Sequence, residues 1–147
     1  FYISYAEDDH DFREPFGGNV ETKTEWLQNN GFTIGYHSVY HADNEDATKA
    51  DINEQTTILH ALINDAADEP DLKHYAHPFG STPERTSARR KLKDTYTSIV
   101  EAWGGLAPHP NNPSFNPHSI PRIETNAETF PRIIDQDTYR KPPPRNY

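Results

Sequence analysis

Hydrophobic and polar positions along this chain switch repeatedly between short apolar runs and longer stretches of helical period, the signature of strands alternating with helices. Phe1 to Tyr5 is apolar on both faces and reads as a strand. The acidic run Glu7-Asp8-Asp9-His10-Asp11 and then Pro15-Phe16-Gly17-Gly18 make a loop. Asn19 caps a helix reaching about Asn30, with Val20, Leu27 and Trp26 facing inward, and Gly31 stands where a C-terminal cap belongs. Phe32 to Tyr36 is the next strand. From about Thr48 to Asp65, Ile52, Leu59, Leu62 and Ile63 recur at helical spacing, and Pro70 closes that region. Leu72 to Ala76 reads as a third strand, ending at His77-Pro78-Phe79-Gly80. Thr82 and Pro83 are placed as cap and first residue of a weakly apolar third helix. Ser98 to Trp103 is a fourth strand, closed by Gly104-Gly105. A Pro/Asn/His-rich loop over residues 107–118 leads to a short strand at Ile120 to Glu124 and a helical turn at Thr129 to Ile134. The alternation predicts an α/β fold with a parallel sheet or barrel.

Composition adds bounds. The 147 residues allow one domain with a single core. Hydrophobic content is only 33%, but 8 Tyr, 7 Phe and 2 Trp supply bulk that argues against a disordered tail. The formal charge of -9 disfavours a nucleic-acid partner, since phosphate binding needs clustered cations. The one basic cluster, Arg85, Arg89, Arg90, Lys91 and Lys93, reads as a solvated helix face. The acidity suits a neutral or cationic substrate, or a saline environment. With no cysteine there is no disulfide framework and no thiolate metal site, so a metal would be held by His and carboxylates. No signal peptide and no apolar run of membrane length is seen. The chain opens on Phe1-Tyr2-Ile3 rather than Met, and reads as starting inside a domain.

Candidate chemistry gathers just after the second strand, at His37 and His41. In an extended strand, residues four apart stand about 13 Å from each other. On a helical turn they share a face, about 5–6 Å apart at Cβ. A shared metal ion therefore predicts a helical turn as the strand ends; without one, the pair are surface histidines. Ser38 between them, Asp43 soon after and the preceding strand favour the metal. The C-terminal ends of parallel strands are where α/β folds carry their chemistry. A hydrolytic zinc site uses three protein ligands and an open position, so a third ligand is needed.

The run Asn30-Gly31-Phe32-Thr33-Ile34-Gly35-Tyr36-His37-Ser38-Val39-Tyr40-His41 resembles the second motif of NodB-type polysaccharide deacetylases (carbohydrate esterase family four). Three further stretches follow in the family's order. Phe1 to Tyr5 resembles its T-F-F strand, Tyr75-Ala76-His77-Pro78-Phe79-Gly80 its R-x-P-[YF]-G motif, and Phe115 to Ile123 a late segment with a P-R-I core. The resemblance implies a partial or distorted (β/α) barrel over residues 1–140, N-terminally incomplete, with residues 141–147 an extended Pro-rich tail. It implies removal of N-acetyl groups from an amino-sugar polysaccharide such as peptidoglycan or chitin, outside the cell or in its envelope. A divalent metal, usually zinc, would be held by His37 and His41, with Ser38 steadying the turn and Pro78, Phe79 and Gly80 forming a groove wall.

Departures from the family pattern bear on activity. The family's first motif is an Asp-Asp pair that supplies the third ligand and the base. Asp8-Asp9 follows what corresponds to the second strand and lies only 28 residues before His37, so it reads as a solvated loop. Ala76 replaces the motif arginine, and neither a D-x-x-D-W nor an L-x-H motif is visible. Asp135 and Asp137 read as loop carboxylates. His77 is assigned a structural role at the strand end ahead of a groove role; His10, His60, His74, His109 and His118 read as surface or packing residues. The catalytic base and acid are thus unassigned, and weak metal binding with little turnover is expected of these residues alone. The alternative is an inactive glycan-binding module on the same scaffold, with Phe79 and Trp103 as sugar-stacking surfaces. The polymer, the metal and the oligomeric state stay open.

Overall fold

A computed structural model describes residues 2–3, 20–66 and 73–123. The acidic loop with Asp8, Asp9 and His10, the Pro15–Gly18 loop, the Asn19 cap, Pro70, Leu72, the turn at Thr129 to Ile134, Asp135, Asp137 and the 141–147 tail lie outside the described residues.

Five strands form one parallel sheet in the order β1-β2-β3-β4-β5: Tyr2–Ile3, Gly35–Tyr36, His74–Ala76, Ser98–Gly104 and Ile120–Arg122. Helices α1 (Val20–Asn29), α2 (Lys49–Ala66) and α3 (Thr86–Thr95) fill the first three crossovers. Spatial order follows chain order, so each right-handed crossover steps the same way and sets its helix on the same face. The side-by-side contacts of α1 with α2 and of α2 with α3 agree with that. A doubly wound sheet would reverse direction part-way. This is therefore a singly wound α/β arc; it does not close into a barrel among the described residues.

Local signals account for most of the element ends. Gly31 takes φ +75, Phe32 N–H donates to Leu27 O at 2.9 Å, and Gly31 N–H donates to Gln28 O at 2.9 Å. That bond pair is a Schellman cap, and its usual apolar contact is the stack of Trp26 on Phe32, 5.9 Å between centroids. Trp26 accordingly points outward, 57% exposed, and does not face the core as its position suggested. Phe32 belongs to the cap too, so the second strand shrinks from Phe32–Tyr36 to Gly35–Tyr36. Ahead of α2, Thr48 N–H donates to Asp51 Oδ2 at 2.8 Å and Asp51 N–H to Thr48 Oγ1 at 3.3 Å, a reciprocal capping box.

The third helix starts later than Thr82 and Pro83 suggested. Its cap is Arg85; Pro83 is fully buried, and Glu84 N–H donates to Glu45 O at 2.8 Å. That tie to the segment before α2 holds residues 82–84 out of the helix. The Arg89 guanidinium folds back on the Pro83 and Glu84 carbonyls, 2.7 Å each, so this member of the basic cluster serves the helix start rather than solvent.

The core lies between sheet and helices. Ile52, Leu59 and Ile63 of α2 meet Tyr36, Tyr75, Ile99 and Tyr96, all essentially buried, with Leu62 only half-buried. His60 stacks on Tyr36 at 4.3 Å, and Tyr75 on Tyr96 at 5.0 Å. Aromatic packing thus fills the space that scarce aliphatic residues leave. No helix among the described residues is long and apolar enough to cross a membrane.

Candidate metal centre and groove

His37 follows directly on Tyr36, which pairs with Tyr75 of β3. The register brings the His37 ring beside the next carbonyl of β3, and His37 Nδ1 lies 2.9 Å from Ala76 O. A carbonyl only accepts, so Nδ1 carries the proton and the Nε2 lone pair of the neutral ring faces away from the strand. His41 Nε2 stands 3.1 Å from His37 Nε2. Two nitrogens held at about 2.0–2.1 Å on tetrahedral zinc positions are about 3.3 Å apart. The donor pair fits a shared divalent ion, and a ligating imidazole whose other nitrogen donates to a backbone carbonyl is the usual orienting arrangement.

The rings converge without the helical turn that their spacing called for. No helix lies between Tyr36 and Lys49. Instead Ser38 has φ 62 and His41 φ 48, and these left-handed residues fold the segment back on itself. Ser38 is buried, and its Oγ accepts from Ala42 N–H at 3.3 Å across the turn. Asp43 is engaged elsewhere. Its carboxylate accepts from Glu45 N–H at 2.9 Å, and that bond, with one from Ser81, lowers its pKa. Among the described residues no group of three or more His, Asp or Glu side chains is placed to hold a metal.

Among the described residues Phe79 is the third non-glycine residue with positive φ, at 52, inside the 3-10 turn Pro78–Gly80. Its ring lies 4.4 Å from that of His41 and is 59% exposed. Gly80 N–H donates to His77 O and Ser81 N–H to Pro78 O, which lock the turn. All three such residues therefore sit at one end of the sheet, where strained backbone tends to accompany function. Pro78 is buried beneath, and Phe79 and Gly80 line an open groove of about 510 Å³ with His37, His77, Trp103 and Arg122.

His77 is 3% exposed, and burial, the largest influence, lowers its pKa. It borders this groove and a second cavity of about 270 Å³ beside α3. His60, His74 and His118 make packing contacts, with Tyr36, Ser98 Oγ and Tyr96 O respectively. Sequence reading gave Arg122 no role beyond its place in the P-R-I run. The structure sets its guanidinium in the groove wall, with Nε donating to Glu101 O. No periodic pattern could bring Arg122 and His37 together, because two intervening strands do it.

No protein-family profile matches the chain, and no curated protein matches it in sequence. Solved structures do share its fold. A polysaccharide deacetylase from Bacillus cereus superposes with a TM-score of 0.62 at 17% identity, over 82% of this chain and 38% of that one. A protein from Bacillus anthracis named for the same activity superposes with a TM-score of 0.61 at 17% identity, over 80% of this chain and 37% of that one. The chain thus spans under two-fifths of the length of these neighbours, and its fold resembles part of theirs, as the motif order led one to expect.

Proposed function

We propose that this chain is part of a metal-dependent deacetylase that hydrolyses N-acetyl groups on an amino-sugar polysaccharide of the peptidoglycan or chitin type, on an arc of a distorted (β/α) barrel. The observation that carries this reading is the 3.1 Å approach of the two Nε2 atoms, with His37 oriented by Ala76 O. The deacetylase folds named above support the reaction class.

On this reading His37 and His41 hold a divalent ion, zinc being best suited to imidazole donors in a tetrahedral set. The ion supplies Lewis acidity for attack of water on an acetyl carbonyl. This chain's residues perform the remaining tasks. The Ala76 carbonyl fixes the His37 tautomer, and Ser38 holds the turn that carries His41. Phe79 covers the His41 ring and, with Pro78 and Gly80, shapes the wall along which a sugar chain lies. The reading requires a third ligand and a base from outside the described residues. It includes impaired turnover for this chain as given, because the family's first motif is not recognised in its sequence.

Zinc titration followed by a chromophoric chelator tests the reading, with acetate release from an N-acetylglucosamine oligomer measured in parallel. Expected are one weakly held ion per chain, affinity lowered more than about tenfold by His37→Ala or His41→Ala, and slow acetate release. Zinc uptake indifferent to both substitutions would contradict the metal assignment. Tight binding with rapid turnover would contradict the impairment.

A further inference from the structure

We propose that Trp103 is the platform on which an N-acetylhexosamine ring of the substrate stacks, and that Gly80 sets the orientation of its indole. The inference rests on the deacetylase reading for the identity of the sugar, but stands on different residues. Trp103 lies near the end of β4, where the register slips: Val100 pairs with Ile120 but Gly104 with Arg122, four residues of β4 against two of β5. Such bulges re-aim side chains at strand ends. Here the bulge leaves the indole 65% exposed in the groove that His37 also lines.

The indole is nevertheless held. A Cβ built on Gly80 would stand 2.7 Å from Trp103 Cη2, 3.0 Å from Cζ2 and 2.5 Å from the Ala102 Cβ. The ring edge therefore occupies the space that any side chain at position 80 would need, and Gly80 also has φ +72. An exposed indole braced along one edge is a preorganised flat surface, and binding to it costs little ordering. Its neighbours in the groove are Phe79, which is apolar, and Arg122, whose Nε is committed to Glu101 O. A pyranose suits this surface, with axial C–H groups against an aromatic face and hydroxyls toward polar groups at the rim. The groove is continuous with His37, so a ring stacked here belongs to the same chain as the reacting N-acetyl group. Trp103 is then a binding residue and acts on substrate affinity.

Trp26, the other tryptophan, stacks on Phe32 at the end of α1. Trp26→Phe therefore leaves Trp103 as the sole tryptophan, which can be excited selectively over the tyrosines. In that background the β-1,4-linked tetramer of N-acetylglucosamine should shift Trp103 emission and protect it from acrylamide. Trp103→Ala should weaken tetramer binding, read by calorimetry, at least about tenfold, as for loss of one aromatic stack. Trp103→Phe should weaken it less, and Gly80→Ala should approach Trp103→Ala. Unchanged emission and quenching at millimolar tetramer, or tetramer binding by Trp103→Ala equal to that of the parent, would overturn the proposal. His37→Ala separates the two readings. Retained tetramer binding at Trp103 together with zinc uptake indifferent to His37 leaves the platform standing and removes the deacetylase. Zinc held by His37 with no effect of tetramer on Trp103 does the reverse.

Discussion

Tyr36 and His37 are neighbours in sequence and belong to two differently built regions. Tyr36 faces the helices, where Tyr75, Tyr96, His60 and the α2 stripe close round it; Asn44 Nδ2 donates to Tyr75 Oη at 3.0 Å, while the buried Tyr36 Oη has no hydrogen-bond partner among the described residues. One residue later the chain enters a region of left-handed Ser38, His41 and Phe79, with Phe79 and Trp103 more than half exposed. The first region is saturated with contacts and stabilises the fold. The second holds strain and bare aromatic surface that a stability-driven design would remove. The second begins where the strands end, so substitutions should sort by region.

The largest effect is expected in the saturated region. Leu59→Ala empties a site that is 1% exposed and should cost about 2–5 kcal/mol in urea unfolding. Tyr75→Phe leaves the buried Asn44 amide without its acceptor and should cost about 1–3 kcal/mol. A cost near zero for Tyr75→Phe would mean that the Asn44 amide is left unpaired as readily as the Tyr36 hydroxyl is, and would blur the contrast. Phe79→Gly should act oppositely. Relief of positive φ at an exposed site should raise stability by up to about 1 kcal/mol, while zinc and oligosaccharide binding fall. Loss of both together would place Phe79 with the core instead.

Much of this was legible in the sequence where the cause is local. Gly31 after an apolar helix face, the helix start near Thr48 and the stripe on α2 each rest on neighbours within one or two turns, and each formed. The misjudged positions answer to contacts and backbone conformations that periodicity does not encode. Trp26 turned outward because Phe32 gives it a stack, Thr82 and Pro83 stayed outside α3 because Glu45 holds Glu84, and the histidines met through backbone strain rather than helical periodicity. The motif pair His37 and His41 was readable. Its orientation by Ala76 O and the indole edge over Gly80 were not, since both join different strands.

The smallest expected effect is on pH dependence. Burial, with the Lys91 charge adding to it, lowers the His60 pKa, and Tyr36 and Tyr96 face the ring from either side. With the folded pKa depressed, the unfolded chain binds more protons just below the ordinary value of about 6.5. Stability from this source is full above that value and is lost as pH falls through the folded pKa. Burial of His77 acts with the same sign. His60→Phe should therefore reduce the loss in urea midpoint between about pH 7.5 and about pH 5.5. An unchanged loss would assign the dependence elsewhere.

The claim that most else depends on is that His37 and His41 hold one ion through their Nε2 atoms. Long-range proton–nitrogen correlation spectra of the imidazoles, recorded as zinc is added, address it directly. His37 should keep its proton on Nδ1 throughout, and the Nε2 resonances of both rings should shift together and saturate at one equivalent. A shift at Nδ1 of His37, or at only one of the two rings, would contradict it.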